Sequence, residues 1–232
     1  MTEHTSRHYE QELQELKDKL LLLGGMVEEM IGSAMRSLLD RDPDLARRVI
    51  DSDPRVDAAE LEIDHHCLNL LALRQPAASD LRFIATALKI VTDLERIGDT
   101  AVNLAERSIE LNEEPPLKPY IDIPRMAILS STMLREALDA FVRHDAAAAR
   151  SIVSRDDEVD NLNKQLFREL VSYMIEDPHT ITRAMELILV ARNLERVADL
   201  ATNIAEEVVF ITEARIIKHH ADERVGNDFG RS

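Results

Sequence analysis

One ten-residue segment occurs twice in the chain, and it constrains the fold more than any other feature. LERIGDTAVN begins at Leu94 and LERVADLATN begins at Leu194, 100 residues later, with Leu, Glu, Arg, Asp, Ala and Asn at the same places. Similarity at a long, fixed offset is typical of two copies of one structural unit. The chain has only 6 glycines and 8 prolines and no convincing alternation of apolar and polar residues, which favours long helices over a sheet. The sequence therefore predicts an all-α protein of two tandem three-helix bundles related by an internal repeat.

Apolar residues spaced three and four apart predict the three helices of the first repeat. Gly24 and Gly25 lie inside the first helix, where we expect them to let another helix approach closely. Asp42 is the expected N-cap of the second helix, which we predict to be kinked or restarted at Pro54, and Ser79 is the expected cap of the third. The predicted helices are about Tyr9 to Leu39, Pro43 to Leu73 and Ser79 to Asn112.

A proline-rich segment, NEEPPLKPYIDIP, separates the two repeats. Beyond it the same plan returns, with helices predicted from about Arg125 to Arg143, from Ala146 to Met174, and from the EDPHT segment past Val209 toward His219. We predict a first repeat over residues 1–114, a second over 121–220 and a flexible tail over 221–232.

The charge of the chain excludes several classes of partner. The sequence has 44 acidic and 28 basic residues, and its net charge of −16 argues against binding to nucleic acid or to an anionic membrane surface. No apolar stretch is long enough for a membrane span or forms a signal core, so we expect a cytoplasmic protein without direct membrane insertion. The single Cys67 lies in an apolar pattern and is predicted to be a small buried residue.

Carboxylates occupy positions that periodicity assigns to packed helix faces. Leu88, Glu95, Val102 and Ile109 follow one another at steps of seven, as do Ile188, Glu195, Thr202 and Val209 in the second repeat. An aspartate stands four residues after each glutamate, and the second helix of each repeat carries its own pair of aspartates, 103 residues apart between repeats. The candidate residues are Asp53, Asp57, Glu95 and Asp99 in the first repeat, and Asp156, Asp160, Glu195 and Asp199 in the second.

Two interpretations of these carboxylates remain open from the residues alone. Buried, unpaired carboxylates cost several kcal/mol each, so a positive partner is expected. A cation such as Mg, Mn, Fe or Zn suits an all-oxygen set, while the lone cysteine excludes a sulfur-ligated zinc site. Alternatively, Arg96 and Arg196 neutralise the carboxylates as ion pairs. Asp53 is also a candidate helix N-cap before Pro54, a role that is compatible with metal binding.

Three longer segments resemble the PhoU family, the accessory proteins of bacterial high-affinity phosphate transport. The segments are RQPAASDLRFIATALKIVTDLERIGD, EVDNLNKQLFRELVSYMIEDPHTI and ARNLERVADLATNI, and the resemblance spans nearly the whole chain. It implies two three-helix bundles and iron or zinc clusters at the eight carboxylates named above. Ala198, where the first repeat has Gly98, is one small-for-small departure between the two motifs.

The resemblance also implies a function. It implies a non-enzymatic negative regulator of the phosphate-starvation response, acting through components of the phosphate ABC transporter and its sensor histidine kinase. A homodimer is also expected.

Two other functions deserve comparison. A di-iron oxidase needs two ExxH motifs; Glu62 and His65 supply one, but Gln165 and Arg168 stand at the matching places of the second repeat. The sequence also lacks a glycine-rich phosphate loop, a GxSxG elbow and an HExxH motif, so we expect no catalytic activity. A metal-free adaptor is the third interpretation, and metal content after purification without chelators distinguishes it from the metal-binding one.

Overall fold

The computed structural model describes residues 3–74 and 76–213, and these residues are almost entirely helical. No strand occurs in the described ranges, which confirms the all-α prediction. The predicted tail over 221–232 and the extension of the last helix toward His219 lie outside the described residues. The elements are α1 (Glu3–Leu39), α2 (Pro43–Arg74), α3 (Ala78–Asn112), α4 (Asp122–Arg143), α5 (Ala146–Val153), α6 (Asp156–Glu176), a 3₁₀ turn (Pro178–Thr180) and α7 (Ile181–Glu213).

The third helices of the two repeats, α3 and α7, pack against each other at the centre of the molecule. Lys89 of α3 forms an ion pair with Glu207 of α7 at 3.0 Å, and Arg107 of α3 pairs with Glu186 of α7 at 3.0 Å. Because an early residue of α3 meets a late residue of α7 and the reverse, the two helices are antiparallel. The repeats therefore face each other through their signature helices.

The connection between the first two helices is built alike in both repeats. Arg41 has a φ of 57° and His144 a φ of 53°, the left-handed conformation that ends a helix sharply. The next residue caps the following helix: Asp42 accepts a bond from the amide of Leu45 at 2.9 Å, and Asp145 accepts one from the amide of Ala148 at 2.9 Å. The N-cap prediction for Asp42 is confirmed. The residues of the two turns are 103 residues apart, the same offset as that between the aspartate pairs of the two repeats.

Two expectations about the second helix of each repeat are wrong. The helix predicted from Ala146 to Met174 is divided into α5 and α6, with Ser154 and Arg155 between them. Three acidic residues at the start of α6 favour a new helix N-terminus there, because they complement its positive end. In contrast, α2 continues through Pro54, so the helix is not restarted there, while the alternative of a kink at Pro54 stays a prediction. Asp53 is a helix-interior residue, so its expected role as an N-cap is wrong.

The predicted cap of the third helix also differs from the structure. α3 begins at Ala78 with Ala77 as its N-cap residue, and no side chain caps it. Ser79 instead lies inside the first turn, where its hydroxyl donates to Asp80 at 3.3 Å.

Only one of the two adjacent glycines in α1 allows a close approach. A Cβ atom on Gly24 would lie 2.2 Å from Cδ1 of Leu138 in α4, so glycine lets the first helices of the two repeats meet. Gly25 faces open space, where a Cβ would meet nothing within 4 Å, and the expectation for this residue is wrong.

A single apolar core runs through both repeats. Phe83 of α3 and Phe141 of α4 stack with ring centroids 5.0 Å apart, which joins the two repeats by an aromatic contact. Cys67 is buried as predicted, and burial raises the pKa of its thiol to about 12. Among the described helices, none is both long enough and apolar enough to cross a membrane.

Candidate functional site

The structure brings the predicted carboxylates of the first repeat together between α2 and α3. Asp53, with Asp57 and Asp99 nearby, has a raised pKa because burial and the two neighbouring negative charges disfavour its ionised form. The pKa of Glu95 is also raised, first by burial and then by Asp99, Glu60 and Asp57. Asp53 and Glu95 are half-buried, whereas Asp57 and Asp99 are exposed. These four residues therefore form one electrostatically linked group, as predicted.

Glu60 belongs to the same group, and sequence reasoning missed it. Its pKa is raised by burial and by the charges of Asp64, Asp57 and Asp99. The spacing of Asp57, Glu60 and Asp64 along α2 could have indicated it, since residues three and four apart share a helix face. Comparing the two repeats does not reveal Glu60, because Asn163 stands at the matching position of the second repeat. We call Asp53, Asp57, Glu60, Glu95 and Asp99 the first acidic cluster.

The second acidic cluster, formed by Asp156, Asp160, Glu195 and Asp199, lies between α6 and α7. The pKa of Asp199 is raised to about 6 by desolvation and by the charges of Asp156, Glu195 and Asp160, although its side chain remains exposed. Burial and Asp160 likewise raise the pKa of Asp156 and that of Glu195. The structure thus brings together all four predicted residues of this repeat.

Three polar side chains contact the second cluster. Asn163 donates from Nδ2 to Oε2 of Glu195 at 2.7 Å, and Lys164 donates from Nζ to Oδ2 of Asp160 at 2.9 Å. Thr202 donates to Asp156 at 3.4 Å. In the first cluster, by comparison, none of the five carboxylates forms an ion pair with a described residue. The second cluster is therefore partly compensated by its own neighbours.

The arginines proposed as neutralising partners lie elsewhere. Arg96 pairs with Asp93 at 3.4 Å, and its charge is the smallest influence on the pKa of Glu95. Arg196 is exposed. Within the described part of the chain, neither arginine forms an ion pair with a carboxylate of the two clusters, which disfavours ion pairing as the reason for their position.

The glutamates lie at the edge of the packed helix face rather than inside the core. Leu88, Glu95, Val102 and Ile109 are all half-buried, so the seven-residue stripe follows the boundary between core and solvent. This position lowers the free-energy cost of desolvating the ionised carboxylates, because water still reaches part of each side chain. The assignment of Glu95 to the packed face is therefore corrected to a half-buried one.

The clusters place oxygen ligands near one another without forming a ready coordination shell. Among the described residues, no three His, Cys, Asp or Glu side chains are arranged to hold a metal ion. Mutual repulsion favours side-chain rotamers that keep like charges apart. Rotation about the side-chain single bonds of Asp and Glu can bring the carboxylates closer together when a cation is present. Carboxylate oxygens are the ligand type that hard or borderline cations prefer.

Glu62 and His65, the single ExxH motif, lie on a solvated groove between α1 and α2 rather than inside the bundle. Glu62 pairs with Lys19 at 2.9 Å and its side chain is 65% exposed. His65 is exposed, while His66 lies between Lys19 and the carbonyl of Glu12 at 3.2 and 3.1 Å. The two histidines are thus a surface residue and an interhelical residue.

Comparison with known proteins places this geometry in a family. The family model described as the PhoU domain matches the chain twice, over residues 20–108 and 123–208. The phosphate-specific transport system accessory protein PhoU homolog of Pseudomonas aeruginosa is 42% identical over 94% of this chain and 91% of its own length. The homolog of Aquifex aeolicus is 43% identical over 92% of this chain and 97% of its own.

Solved structures agree with the sequence comparison. The crystal structure of PhoU from Pseudomonas aeruginosa superposes with a TM-score of 0.86 at 42% identity, covering 89% of this chain and all of that one. The phosphate transport system regulatory protein PhoU from Streptococcus pneumoniae gives a TM-score of 0.84 at 30% identity, covering 90% of this chain and 98% of that one. With two matched domains, near-complete coverage and the same fold, the chain belongs to the PhoU family.

Proposed function

We propose that this protein is an accessory regulator of phosphate transport and a negative regulator of the phosphate-starvation response. The observation that carries the proposal is the match along nearly the full length of relatives named as phosphate-specific transport system accessory proteins. In this proposal the protein acts by contact, in the cytoplasm, with components of the phosphate ABC transporter and with a sensor histidine kinase. It acts as a homodimer.

The proposed role of the acidic clusters is to bind metal ions. The first cluster would use Asp53, Asp57, Glu95 and Asp99, and Glu60 adds a fifth carboxylate on the same face of α2. The second cluster would use the four carboxylates defined above. Iron or zinc follows from the family resemblance, and Mg or Mn also suits oxygen ligands. The pKa values of Glu95 and Asp199 are raised first by burial and then by neighbouring carboxylates. They support this role, because a bound cation would favour the ionised forms that both effects disfavour.

A bound cation would link neighbouring helices within each repeat. α2 supplies three carboxylates and α3 two in the first cluster, while α6 and α7 supply two each in the second. The cation would lower the charge of a surface that otherwise repels acidic partners and would hold two helices in register. The protein's own residues contribute ligands and position, and the proposal includes no catalytic step.

Two alternatives make different predictions. A di-iron oxidase requires inward histidine ligands, and the exposed Glu62 and His65 give it no support. A metal-free adaptor would use the clusters only as acidic docking surfaces for protein. Metal content decides between the adaptor and the metal-binding regulator.

The regulatory role is tested by deleting the gene in its host and measuring expression of phosphate-scavenging genes in phosphate-rich medium. We expect derepression, and restoration of repression by the wild-type gene on a plasmid. Expression that stays repressed after deletion would contradict the proposed function. Light scattering on the purified protein tests the homodimer, and a monomer at micromolar concentration would refute it.

The metal sites are tested by elemental analysis of protein purified without chelators. Glu95→Gln with Asp99→Asn keeps side-chain shape and removes two charges, so metal content should fall by about one cluster's share while the helical fold persists. The matched control is Glu106→Gln with Glu110→Gln, which removes two carboxylates at the same spacing from α3, about three helical turns beyond the cluster. Equal metal content in the two variants, or none in the wild type, would leave the metal-free adaptor as the explanation.

A further inference from the structure

A groove between α1 and α2 of the first repeat is lined by none of the carboxylates of the two acidic clusters. Its volume is about 240 Å³, and its lining includes Met26 and Met30 of α1 and Val49 of α2. Met30 and Val49 are buried and Met26 is half-buried, so they form an apolar floor. Arg48, Arg55 and Glu29 also line the groove, and all three are exposed at its rim.

The two rim arginines carry positive charge that the chain itself scarcely neutralises. Arg55 forms no ion pair or hydrogen bond with any described residue, and the only ion pair of Arg48 is a long one, at 3.7 Å from Asp42. These arginines are seven residues apart, so they lie two helical turns, about 10.5 Å, from each other on one side of α2. Glu29 offsets one of the two positive charges, so the rim keeps a formal charge of about +1. In a protein of net charge −16, such a surface suits an acidic partner.

The second repeat closes the equivalent surface with its own side chains. At the offset of 103 residues, Ser33 and Ser52 correspond to Glu136 and Arg155, which form an ion pair from α4 to the start of α6. Since the repeat can cover this surface internally, the open groove of the first repeat is not a requirement of the fold.

The rim arginine is also replaced in the second repeat. Glu158 stands where the first repeat has Arg55, and it pairs with Arg125 at 2.7 Å. Both the openness and the positive charge are therefore particular to the first repeat.

We propose that this groove binds an amphipathic acidic helix of a partner protein. Two carboxylates seven residues apart on that helix would face Arg48 and Arg55, and an apolar side chain between them would pack on Met26 and Met30. Methionine suits such a floor because its flexible, polarisable side chain adapts to different apolar partners. The proposal involves neither acidic cluster and requires no metal, so it stands or falls separately from the metal sites.

The probe is a labelled, hydrocarbon-stapled 18-residue peptide of Ala and Gln, with two Glu seven residues apart and one Leu midway between them. We expect saturable binding to the full chain by fluorescence anisotropy, with shifts of the Met26 and Met30 methyl signals in NMR spectra. The same peptide with Lys in place of both Glu should not bind. Absence of saturable binding at millimolar protein, or shifts confined to methionines outside the groove, would overturn the proposal.

The decisive variant is Ser33→Glu with Ser52→Arg, which rebuilds the ion pair of the second repeat across the groove without changing net charge. We expect it to weaken peptide binding at least about tenfold. Arg48→Gln with Arg55→Gln should weaken binding to a similar extent and serves if the first variant fails to fold. Arg47→Gln with Arg143→Gln makes the same change in net charge away from the groove. Wild-type affinity in both groove variants, or an equal loss in the control, would refute the site.

Discussion

The two acidic clusters occupy equivalent places in the two repeats, but their surroundings differ. In the first cluster, Glu60 adds a fifth carboxylate, and Leu61 is exposed beside it. In the second, Asn163 and Lys164 stand at these positions and contact Glu195 and Asp160. The carboxylate positions are thus shared, while the charge around them is not. A repeated motif therefore fixes where the carboxylates lie without fixing the charge of the residues beside them.

Exchanging the residues beside the two acidic clusters should produce the largest of the predicted effects, a change in the cation affinity of each cluster. Glu60→Asn with Leu61→Lys gives the first cluster the surroundings of the second, and we expect its affinity for Mn²⁺ to fall about tenfold to a hundredfold, because a negative charge is lost and a positive one is added nearby. Asn163→Glu with Lys164→Leu should raise the affinity of the second cluster.

Calorimetric titration of chelator-treated protein measures both exchanges, with the other cluster inactivated by Gln and Asn substitutions. Glu106→Gln with Glu110→Gln in α3 makes the same change in net charge as the first exchange and is its control. If both clusters keep their original affinities after the exchange, the local charge does not set the difference between them.

The proline inside α2 provides the next largest expected effect. Pro54 cannot donate an amide hydrogen to the carbonyl of Ile50, yet α2 continues through it. Pro54→Ala should therefore raise the free energy of unfolding by about 2 kcal/mol, as measured by urea denaturation.

Pro116→Ala, in the exposed linker between the repeats, is the matched substitution outside a helix. It should change the free energy of unfolding little or lower it slightly, because its main effect is to raise the conformational entropy of the unfolded chain. A gain at position 116 as large as that at position 54 would show that the helix interior is not the cause.

A smaller effect should depend on pH. Because the pKa of Asp199 in the folded protein is raised to about 6 from 3.8, its ionised form opposes folding above pH 6. Asp199→Asn should stabilise the chelator-treated protein by about 1 kcal/mol at pH 8, a modest value because the side chain is exposed and salt screens it. The gain should shrink as the pH falls through 6 and disappear below about pH 4, where the carboxyl is protonated in both states.

Urea denaturation at a series of pH values measures this dependence. Asp51→Asn removes an exposed carboxylate outside both clusters and controls for net charge. A gain from Asp199→Asn that is the same at pH 4 and pH 8 would contradict the electrostatic explanation.

The smallest expected effect concerns Gly98 and Ala198. A Cβ on Gly98 would lie 3.0 Å from Cγ1 of Val56, so Gly98→Ala should destabilise by about 0.5 kcal/mol despite its better helix propensity. Val56→Ala should relieve this contact, and in that background Gly98→Ala should become stabilising. Ala198→Gly, the reciprocal change, should cost up to about 1 kcal/mol from propensity alone. A double-mutant cycle on Gly98 and Val56 that shows no coupling would disprove the contact.

Features shared by the two repeats could be predicted from the sequence, and features that differ between them could not. The eight carboxylates, the cap at Asp42 and the all-helical fold all follow from periodicity or from internal similarity. Glu60 was missed because its counterpart is Asn163, and the division between α5 and α6 was missed because the apolar period continues across Ser154. The groove beside Arg48 and Arg55 was missed for a similar reason. Ser33 and Ser52 do not indicate a groove in the sequence, and only the structure shows that their counterparts form an ion pair.

Two other predictions, for Gly25 and for the burial of Glu95, were wrong because contacts between helices decide what surrounds these residues. Gly24 and Gly25 are equivalent in sequence, but only one faces Leu138. The half-buried position of Glu95 likewise depends on how α2 lies against α3, which a single-helix pattern does not contain.

The antiparallel contact of α3 with α7 has a consequence for synthesis of the chain. α1, α2 and α3 contact one another within the first 112 residues, so the first repeat can begin to pack while the rest is still being translated. The face of α3 that meets α7 is fully covered only when Glu213 has been added, about 100 residues later. At about 5–20 residues per second, this leaves an apolar helix face in water for about 5–20 s. During that interval the nascent chain offers a binding surface to chaperones, and to other nascent copies on the same messenger RNA.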